Sequence, residues 1–543
     1  MKKFFERTSK FVFSKQQTIF SSAVILALMI ILSRVFGFLR YHTLATFFNK
    51  EELDIFFASF RIPDLIFEVL ITGAFTSSFI PIFIKFQSDQ EELNKNISSI
   101  INLILVLTVF CVIILYLTMD WLIPAITPGF SPEKNKLIIY YSRILLVGQL
   151  PILIFANILT GLGQANKIFF LTSIGPILYN IVIILATMFL APNFGLMAPI
   201  IGVVIGGIVF FLVQLPLFYK SNFTYRLILK KTSGLIAFVR MTIPRVITVA
   251  VSQIDVTVDL TLATFLGNGA YTVFYLAQRL QLLPVSVVGV AFGQASLPYL
   301  SEIYQQKRIE DFKKIVIESI LKLFFFTIPI MSFFIFARTP IVRIFFGGEK
   351  FDWAATVDTA VALSYFSLSV PFHAAYYFLT RCFYSLMDTK TPFVISVNSV
   401  AINTLLSILF VLYFKFPVWS LAISFSVSMI ANVILLFIIL YRRVQGFNLA
   451  FLFFETGKML ITTLLSSIVV YYLMKLMDGL IFDTSRTINV FFLLLVGSIV
   501  YFLLYLFLCW IFEVQEIYLV TRLAIRIKEY KKRIVEINAP PYE

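Results

Sequence analysis

Seven charged residues stand inside or at the edges of long apolar segments, where a charge is costly. They are Arg34, Arg40, Asp54, Arg61, Asp255, Asp259 and Arg279. A charged side chain at the centre of a membrane helix costs roughly 2.5–3.5 kcal/mol, so these groups must face counter-ions, water or a ligand. Guanidinium groups bind phosphate and carboxylate through paired hydrogen bonds. The arginines therefore indicate anion binding within a membrane.

Structural ion pairing is the competing interpretation of the same charges. Arg61 could pair with Asp54, and Arg34 or Arg40 with Asp255. Arginines near helix ends can also extend to the lipid headgroups. Arg34 and Arg40 are six residues apart, which separates them by about 120° around an ideal helix. A bend at Gly37 would bring both guanidinium groups to one cavity.

The segments that must position these charges are membrane helices. Of the 543 residues, 59% are hydrophobic and 13% are charged, whereas soluble proteins have about 45–50% and about 25%. Apolar stretches of about twenty residues recur along the chain, which predicts an all-α membrane protein with about 14 transmembrane helices. The predicted centres lie near residues 30, 70, 110, 150, 180, 207, 250, 287, 330, 370, 402, 430, 465 and 503. This composition excludes a soluble enzyme and a disordered protein.

Basic residues alternate between the predicted loops. With the N-terminus inside, the basic loops fall at residues 220–240, 307–314 and 442–443 on the cytoplasmic side. The topology predicts a multi-pass protein with both termini in the cytoplasm and a basic amphipathic tail. The net charge of +15 follows from this loop pattern, so no nucleic-acid partner is expected.

An internal repeat divides the chain. Residues 44–48 recur at 262–266, an offset of 218 that also carries Arg61 onto Arg279. An even number of helices in each copy predicts parallel repeats, with a substrate site between them. The predicted parts are an N-lobe (1–225), a C-lobe (226–447), a C-terminal helix pair (448–515) and the tail (516–543).

The sequence offers no catalytic residues. His42 and His373 are the only histidines, they lack the spacing of a triad or metal site, and no nucleotide-binding P-loop is present. A transporter is therefore predicted rather than an enzyme. An ion gradient, the membrane potential or the substrate gradient would drive it.

Seven segments carry a resemblance to a known family. The chain resembles the MurJ/MviN family of bacterial flippases for the lipid-linked peptidoglycan precursor, within the multidrug/oligosaccharidyl-lipid/polysaccharide exporter superfamily. The matching segments are 33–40, 54–63, 73–75, 79–81, 252–253, 277–280 and the specific signature 381–392. The resemblance implies two parallel six-helix lobes around a central cavity, alternating access, and a groove in 448–515 for the polyprenyl tail.

The resemblance also implies site residues and partners. Arg34, Arg40 and Arg279 match the family's cavity arginines, Asp54 its second-helix aspartate, and Arg61 a basic position. The implied substrate is lipid II, an undecaprenyl-diphosphate-linked muropeptide, handled by a monomer in the bacterial inner membrane among membrane lipids and cell-wall synthesis proteins. The chain departs from the family pattern at four positions: Tyr41, Phe67, Glu68 and Thr72.

A sodium site is the one cofactor site that the resemblance implies. Asp259 and Asn403 match family positions for sodium ligands, whereas Ser407 replaces an expected acid. A site of this kind would keep one formal negative charge. Asp259 could instead pair with a cation or remain protonated.

Four other functions predict different features. A flippase for another polyprenyl-linked glycan, such as a capsule or O-antigen unit, would share the architecture but lack the 388–392 signature. A cation-coupled drug exporter would have an acidic, aromatic cavity. A membrane glycosyltransferase would need a large loop bearing catalytic acids. An assembly scaffold would give no reason for buried arginines.

Overall fold

The computed structural model describes residues 19–221 and 223–519. Within these ranges the chain is helical, without β-strands, and twelve helices are long and apolar enough to cross a membrane. The predicted all-α membrane fold is thereby confirmed. The N-terminal lysines and the part of the basic tail beyond residue 519 lie outside the described residues.

Backbone contacts divide the chain into two compact units. The first contains residues 1–275, 345–356 and 407–418, and the second contains the remainder. In chain order, the first helices are α1 (Ile19–Phe47), α2 (Lys50–Ser59), α3 (Arg61–Phe67), the π-helical segment π1 (Glu68–Phe75), α4 (Thr76–Phe86), α5 (Gln90–Ile126), α6 (Pro132–Gly148), α7 (Leu150–Ala165), α8 (Phe169–Phe194), α9 (Met197–Lys220), α10 (Ser233–Thr264) and α11 (Ala270–Pro284).

The remaining helices follow in chain order. They are π2 (Val285–Val290), α12 (Ala291–Gln305), α13 (Ile309–Phe336), α14 (Arg338–Phe346), α15 (Trp353–Ser367), α16 (Val370–Ser385), α17 (Lys390–Ile408), π3 (Leu409–Tyr413), α18 (Trp419–Arg443), α19 (Leu449–Leu480) and α20 (Thr487–Ile511). All fourteen predicted centres fall within helices. Those near 70 and 370 fall on interrupted helices, in 50–86 and 353–385, which are not among the twelve continuous spans.

The π-helical segments support the internal repeat. π1 begins at Glu68 and π2 at Val285, so the repeat offset of 218 carries the start of π1 to within one residue of the start of π2. π2 directly follows Pro284, which has no N–H to donate to the regular helical ladder. Wide turns of this type are rare in helices and concentrate at functional sites. Each repeat therefore places a deformable turn in its second membrane segment.

The predicted lobe boundary differs from the boundary of the compact units. Residues 226–275 group with the first unit, because α10 packs against α4, α5 and π1. One contact in this packing is the hydrogen bond from Thr242 Oγ1 to Ser78 Oγ, at 3.3 Å. The division into lobes remains a prediction, as does the membrane orientation of the termini.

The segment between α9 and α10 is held by one face of α5. Asn94, Ser98 and Asn102 are spaced four residues apart, so they share that face. Asn94 Oδ1 accepts a hydrogen bond from the Thr224 N–H at 2.9 Å, and Ser98 Oγ accepts one from the Arg226 N–H at 2.9 Å. Asn102 Nδ2 donates to the carbonyls of Arg226 at 3.1 Å and Ile228 at 2.8 Å.

We expect Asn102→Ala to release this linker. The substitution removes two hydrogen bonds to backbone carbonyls, each with a net value of about 1 kcal/mol. The N–H groups of Thr224 and Arg226 should exchange with deuterium roughly tenfold faster. Asn157→Ala is the matched control, because Asn157 Nδ2 bonds only to the Leu153 carbonyl of its own helix. We call this contact between α5 and the α9–α10 linker the clamp. Equal hydrogen–deuterium exchange of Thr224 and Arg226 in the two variants would show that the clamp does not hold the linker.

A proline in α13 explains how α20 is attached in the second unit. Pro329 lacks an N–H, so the carbonyl of Phe325 loses its helical donor. The Tyr505 hydroxyl donates to that carbonyl at 2.9 Å, and the Tyr501 hydroxyl donates to the Pro329 carbonyl at 3.0 Å. Tyr505 also belongs to the apolar core shared by α12, α13, α16, α18 and α19. The predicted lipid-tail groove in 448–515 remains a prediction.

Candidate substrate-binding site

Arg40 lies on α1 among aromatic side chains. Its guanidinium carbon is 4.8 Å from the centre of the Tyr41 ring, and its other electrostatic neighbours include the phenols of Tyr179 and Tyr275. The Tyr41 and Tyr275 hydroxyl oxygens are 3.5 Å apart. The buried Nε of Arg40 has no hydrogen-bond partner among the described residues. This donor can serve an anion that the protein does not itself supply.

Arg34 lies in a different environment on the same helix. Its side chain is exposed and pairs with no carboxylate in the described ranges. α1 is continuous from Ile19 to Phe47, so Gly37 does not interrupt it. The bend at Gly37 and the convergence of Arg34 and Arg40 on one cavity remain predictions.

Arg61 is fixed by α10 through neutral groups. Its Nη2 donates to the Thr257 hydroxyl at 2.6 Å and to the Gln253 carbonyl at 2.6 Å, and its Nε donates to Thr257 Oγ1 at 3.0 Å. The side chain is buried. In this conformation Arg61 joins α3 to α10, and a direct role in substrate binding remains a prediction.

Asp54 holds the beginning of α11. Its Oδ2 accepts a hydrogen bond from the Gly269 N–H at 2.7 Å, and its Oδ1 accepts from the Thr272 N–H at 2.9 Å and the Thr272 hydroxyl at 2.8 Å. Lys134 Nζ lies 3.9 Å from Oδ2. A carboxylate at the N-terminus of a helix satisfies N–H groups that have no intrahelical partner. The carboxylate is fully buried, so Asp54 acts here as a positioning residue.

Further contacts surround Asp54. We call Asp54, Lys134, Thr264, Asn268 and Thr272 the outer clasp, because the predicted topology places them on the outer side of the membrane. Lys134 Nζ donates to Asn268 Oδ1 at 2.6 Å, and the Gly129 N–H donates to Thr264 Oγ1 at 3.1 Å. The clasp ties the chain between α10 and α11 to α2 and to the loop before α6. The sequence indicated Asp54 alone, because its hydrogen-bond donors Gly269 and Thr272 lie more than 200 residues later in the chain and Lys134 lies in a different helix.

Arg279 belongs to the second unit, on α11, where its side chain is half-buried. Two residues later on α11, Gln281 belongs to a network of neutral groups. Its Nε2 donates to Ser369 Oγ at 3.0 Å and lies 3.2 Å from His373 Nδ1. The His373 ring stacks on Tyr377 at 5.5 Å. The joint action of Arg279 with the arginines of α1 remains a prediction.

Two of the three predicted sodium ligands are in contact. Ser407 Oγ donates a hydrogen bond to Asp259 Oδ1 at 3.0 Å, and both side chains are buried. Asn403 lies one turn before Ser407 on α17 and is also buried. In the part of the chain that the structure describes, no group of three or more His, Cys, Asp or Glu side chains could hold a metal. A site here would depend on one carboxylate and on neutral oxygens.

Comparison with known proteins decides the family. The family model described as "Lipid II flippase MurJ" matches residues 44–492. The chain belongs to the lipid II flippase MurJ family. It is 25% identical over 498 residues to a probable lipid II flippase MurJ of Buchnera aphidicola, covering 89% of this chain and 95% of that protein. It is 26% identical over 430 residues to the Burkholderia cenocepacia lipid II flippase MurJ, covering 76% and 82%.

Solved structures agree with this assignment. A lipid II flippase MurJ in an inward closed conformation matches with a TM-score of 0.74 and 25% identity, covering 90% of this chain and 98% of that one. An inward-facing multidrug resistance transporter of the MATE family matches with a TM-score of 0.64 and 15% identity, covering 78% and 98%. The second likeness shows the fold alone. The predicted assignment to a transporter family, rather than to an enzyme, is confirmed.

The signature of the MurJ resemblance, residues 381–392, forms a helix cap. Asp388 Oδ1 accepts hydrogen bonds from the N–H groups of Lys390 and Thr391, each at 3.0 Å, and Oδ2 accepts one from the Thr391 hydroxyl at 2.6 Å. Arg443 Nη1 donates to the same Oδ2. The Asp-Thr-x-Thr-Pro motif therefore begins α17 and joins it to the end of α18.

The cap should make stability depend on pH. Burial alone would raise the pKa of Asp388, but hydrogen bonds from Thr391 and the Arg443 guanidinium lower it below its usual value. A pKa that is lower in the folded state stabilises the fold above the unfolded-state pKa of about 3.9. This stabilisation is lost as pH falls through the folded-state pKa.

We therefore expect the thermal midpoint of Asp388→Asn to lie below that of the wild type near neutral pH. The gap should narrow as pH falls from about 4 through the lower folded-state pKa, because the carboxylate of the folded wild type becomes protonated only there. Midpoints measured across this range, with Asp358→Asn as the exposed control, check the prediction. A gap that stays constant across the range would contradict it.

Proposed function

We propose that the protein moves lipid II from the cytoplasmic to the outer leaflet of the bacterial inner membrane. The observation that carries the proposal is Arg40, whose guanidinium lies within the first membrane helix with a buried donor that no described residue uses. Membership of the MurJ family supports the identity of the substrate. Lipid II would thus reach the leaflet on which cell-wall synthesis uses it.

The chemistry of the substrate matches these residues. A diphosphate bearing a sugar-peptide headgroup cannot cross hydrocarbon unaided, because the loss of hydration is too costly. Arginine presents a rigid fork of donors to phosphate oxygens and stays charged. Arg34, Arg40 and Arg279 would bind the diphosphate. A membrane potential negative inside favours outward movement of an anion by about 2.3 kcal/mol per charge per 100 mV.

Alternating access gives the outer clasp a role. Alternation between inward-facing and outward-facing arrangements would move α11, which begins in the first unit and continues into the second. The outer clasp lies within the first unit and would release the beginning of α11 when the outer side opens. Structural neighbours of the MATE family have been solved in inward-facing and outward-facing conformations. The π-helical segments π1 and π2 supply turns at which the second helix of each repeat can change its path. Release of Asp54 from α11 would then accompany each transport cycle.

The proposal includes the orientation of the termini, the oligomeric state and the partners. The termini would lie in the cytoplasm, in keeping with the basic loops. The functional unit would be a monomer that meets lipid II, bilayer lipids and cell-wall synthesis proteins. The two C-terminal helices would hold the polyprenyl tail.

Sodium coupling would use Asp259 and Ser407. Their contact brings a carboxylate and a hydroxyl together in a buried place, and sodium takes oxygen ligands. Asn403 would add an amide oxygen. In proteoliposomes, transport should rise with an imposed sodium gradient and Asp259→Asn should remove that dependence. If transport changes neither with the sodium gradient nor with Asp259→Asn, the membrane potential is left as the driving force.

Depletion of the protein in cells tests the function. Lipid II should then accumulate in the cytoplasmic leaflet, where an external probe or hydrolase cannot reach it. A capsule or O-antigen precursor that accumulates instead would replace lipid II as the substrate. Unchanged distribution of all polyprenyl-linked precursors would overturn the proposal.

A further inference from the structure

A groove of about 640 Å³ lies between α5 and α6 in the first unit. Its lining includes Tyr116, Asp120, Lys136, Tyr140, Arg143 and Val147. None of these residues takes part in the arginine sites or the outer clasp. Lys136 lies in the second turn of α6, and the predicted topology places the start of α6 toward the outside of the cell.

The helical spacing explains why the lining residues share one groove. On α6, Lys136, Tyr140, Arg143 and Val147 follow one another at intervals of four, three and four residues, which places them in one stripe. On α5, Tyr116 and Asp120 are one turn apart. The wall from α6 thus carries two cations, and the wall from α5 carries one carboxylate.

Arg143 is held in place and keeps an open donor. Its Nη2 donates to Asp120 Oδ2 at 2.6 Å, and its Nε and Nη2 approach the Tyr116 carbonyl at 3.3 Å. The guanidinium carbon lies 4.9 Å from the centre of the Tyr116 ring. Among the described residues, Nη1 has no hydrogen-bond partner. One face of the guanidinium group therefore remains available to a ligand.

Lys136 supplies the net charge. It forms no ion pair with any carboxylate in the described ranges. Glu133, one turn earlier, is exposed and is an electrostatic neighbour of Lys136, but it does not line the groove. Because Asp120 compensates Arg143, the groove retains one net positive charge, which matches the single negative charge of a phosphodiester.

The surroundings show from which side a ligand enters. Leu117 is 71% exposed, Trp121 is 74% exposed and Val147 is 53% exposed. Side chains of this kind on membrane helices face lipid. For helices perpendicular to the membrane, Lys136 lies about 6 Å and Arg143 about 16 Å below the start of α6.

We propose that this groove binds the headgroup of one anionic glycerophospholipid of the surrounding bilayer. The phosphodiester would lie between Lys136 and the open donor of Arg143, the Tyr140 hydroxyl would bond to the headgroup, and an acyl chain would follow Val147. The bilayer is the source, since the groove opens among lipid-facing side chains. A diphosphate such as that of lipid II carries more negative charge than the groove compensates.

Native mass spectrometry of the full-length protein tests the site by lipid binding itself, independently of transport. With phosphatidylglycerol and phosphatidylcholine as probes, the wild type should retain one phosphatidylglycerol at least about tenfold more strongly. Lys136→Gln should lose most of this preference, and the fold should survive because Lys136 makes no described hydrogen bond. The double variant Lys136→Gln/Arg143→Gln should lose the preference entirely.

Lys350→Gln is the matched control, an exposed lysine distant in sequence from the groove, and it should behave as the wild type. Equal retention of the two phospholipids by the wild type would overturn the proposal. An unchanged preference in Lys136→Gln would also overturn it. Displacement of the bound phosphatidylglycerol by equimolar lipid II would assign the groove to the substrate instead.

Discussion

Transport should fall to the rate of protein-free vesicles when Arg40 is replaced by alanine. Arg40 offers hydrogen bonds from a charged group, each worth about 1.5–3 kcal/mol, so losing even one should slow flipping by about tenfold or more. Arg40→Lys should recover part of the activity, since lysine keeps the charge but loses the paired geometry. The assay is lipid II flipping in proteoliposomes, with protein content matched.

Arg308→Ala is the control for this variant. Arg308 is exposed and pairs with Asp311 at 2.7 Å, one turn along α13. Exposed pairs of this kind contribute little, so the control should flip lipid II as fast as the wild type. Normal flipping by a well-inserted Arg40→Ala protein would remove Arg40 from the substrate site. The same test applies to Arg34 and Arg279.

Replacement of Asp54 by alanine should have the largest effect on stability. It leaves the buried N–H groups of Gly269 and Thr272 without an acceptor, at a cost of about 1–3 kcal/mol for each. The free energy of unfolding should therefore fall by about 2–6 kcal/mol, and transport should fall with it. Asp54→Asn keeps one acceptor oxygen, so its loss should be intermediate.

Asp352→Ala is the matched control for Asp54. Asp352 Oδ1 accepts a hydrogen bond from the Ala355 N–H at 2.7 Å at the exposed start of α15. Loss of an exposed cap costs about 1 kcal/mol. Equal destabilisation by the two substitutions, measured by denaturant unfolding in detergent, would show that the outer clasp has no special role.

The membrane spans could be predicted because they depend on local composition. A stretch of about twenty apolar residues in lipid forms a helix because its backbone groups must bond to one another, independently of the rest of the chain. Every predicted centre therefore lies in a helix. The helix break at 60–61 depends on packing and on Pro63, which cannot donate a backbone hydrogen bond. The π-helical segment π1 could not be predicted, because hydropathy does not distinguish a π-turn from an α-helical turn. The clamp on the α9–α10 linker did have a signal, the spacing of Asn94, Ser98 and Asn102.

The site was predictable by residue type more than by contact. The cost of charge in the membrane singled out Arg40 and Asp54, and their roles in transport remain predictions. Their partners are a tyrosine cluster and the start of α11, which only the fold brings near. Arg61 shows the limit of charge counting: an Asp54–Arg61 ion pair was the natural alternative, but Asp54 is satisfied by backbone N–H groups, and Arg61 donates to Thr257 and Gln253.

Purified protein in liposomes tests the central claim most directly. Lipid II is placed in both leaflets, and a hydrolase added outside removes only what reaches the outer leaflet. Vesicles with the wild-type protein should lose nearly all their lipid II, whereas vesicles with Arg40→Ala should stop at the outer-leaflet half. Equal protection of the inner-leaflet pool with wild type, with Arg40→Ala and without protein would contradict flipping of lipid II by this chain.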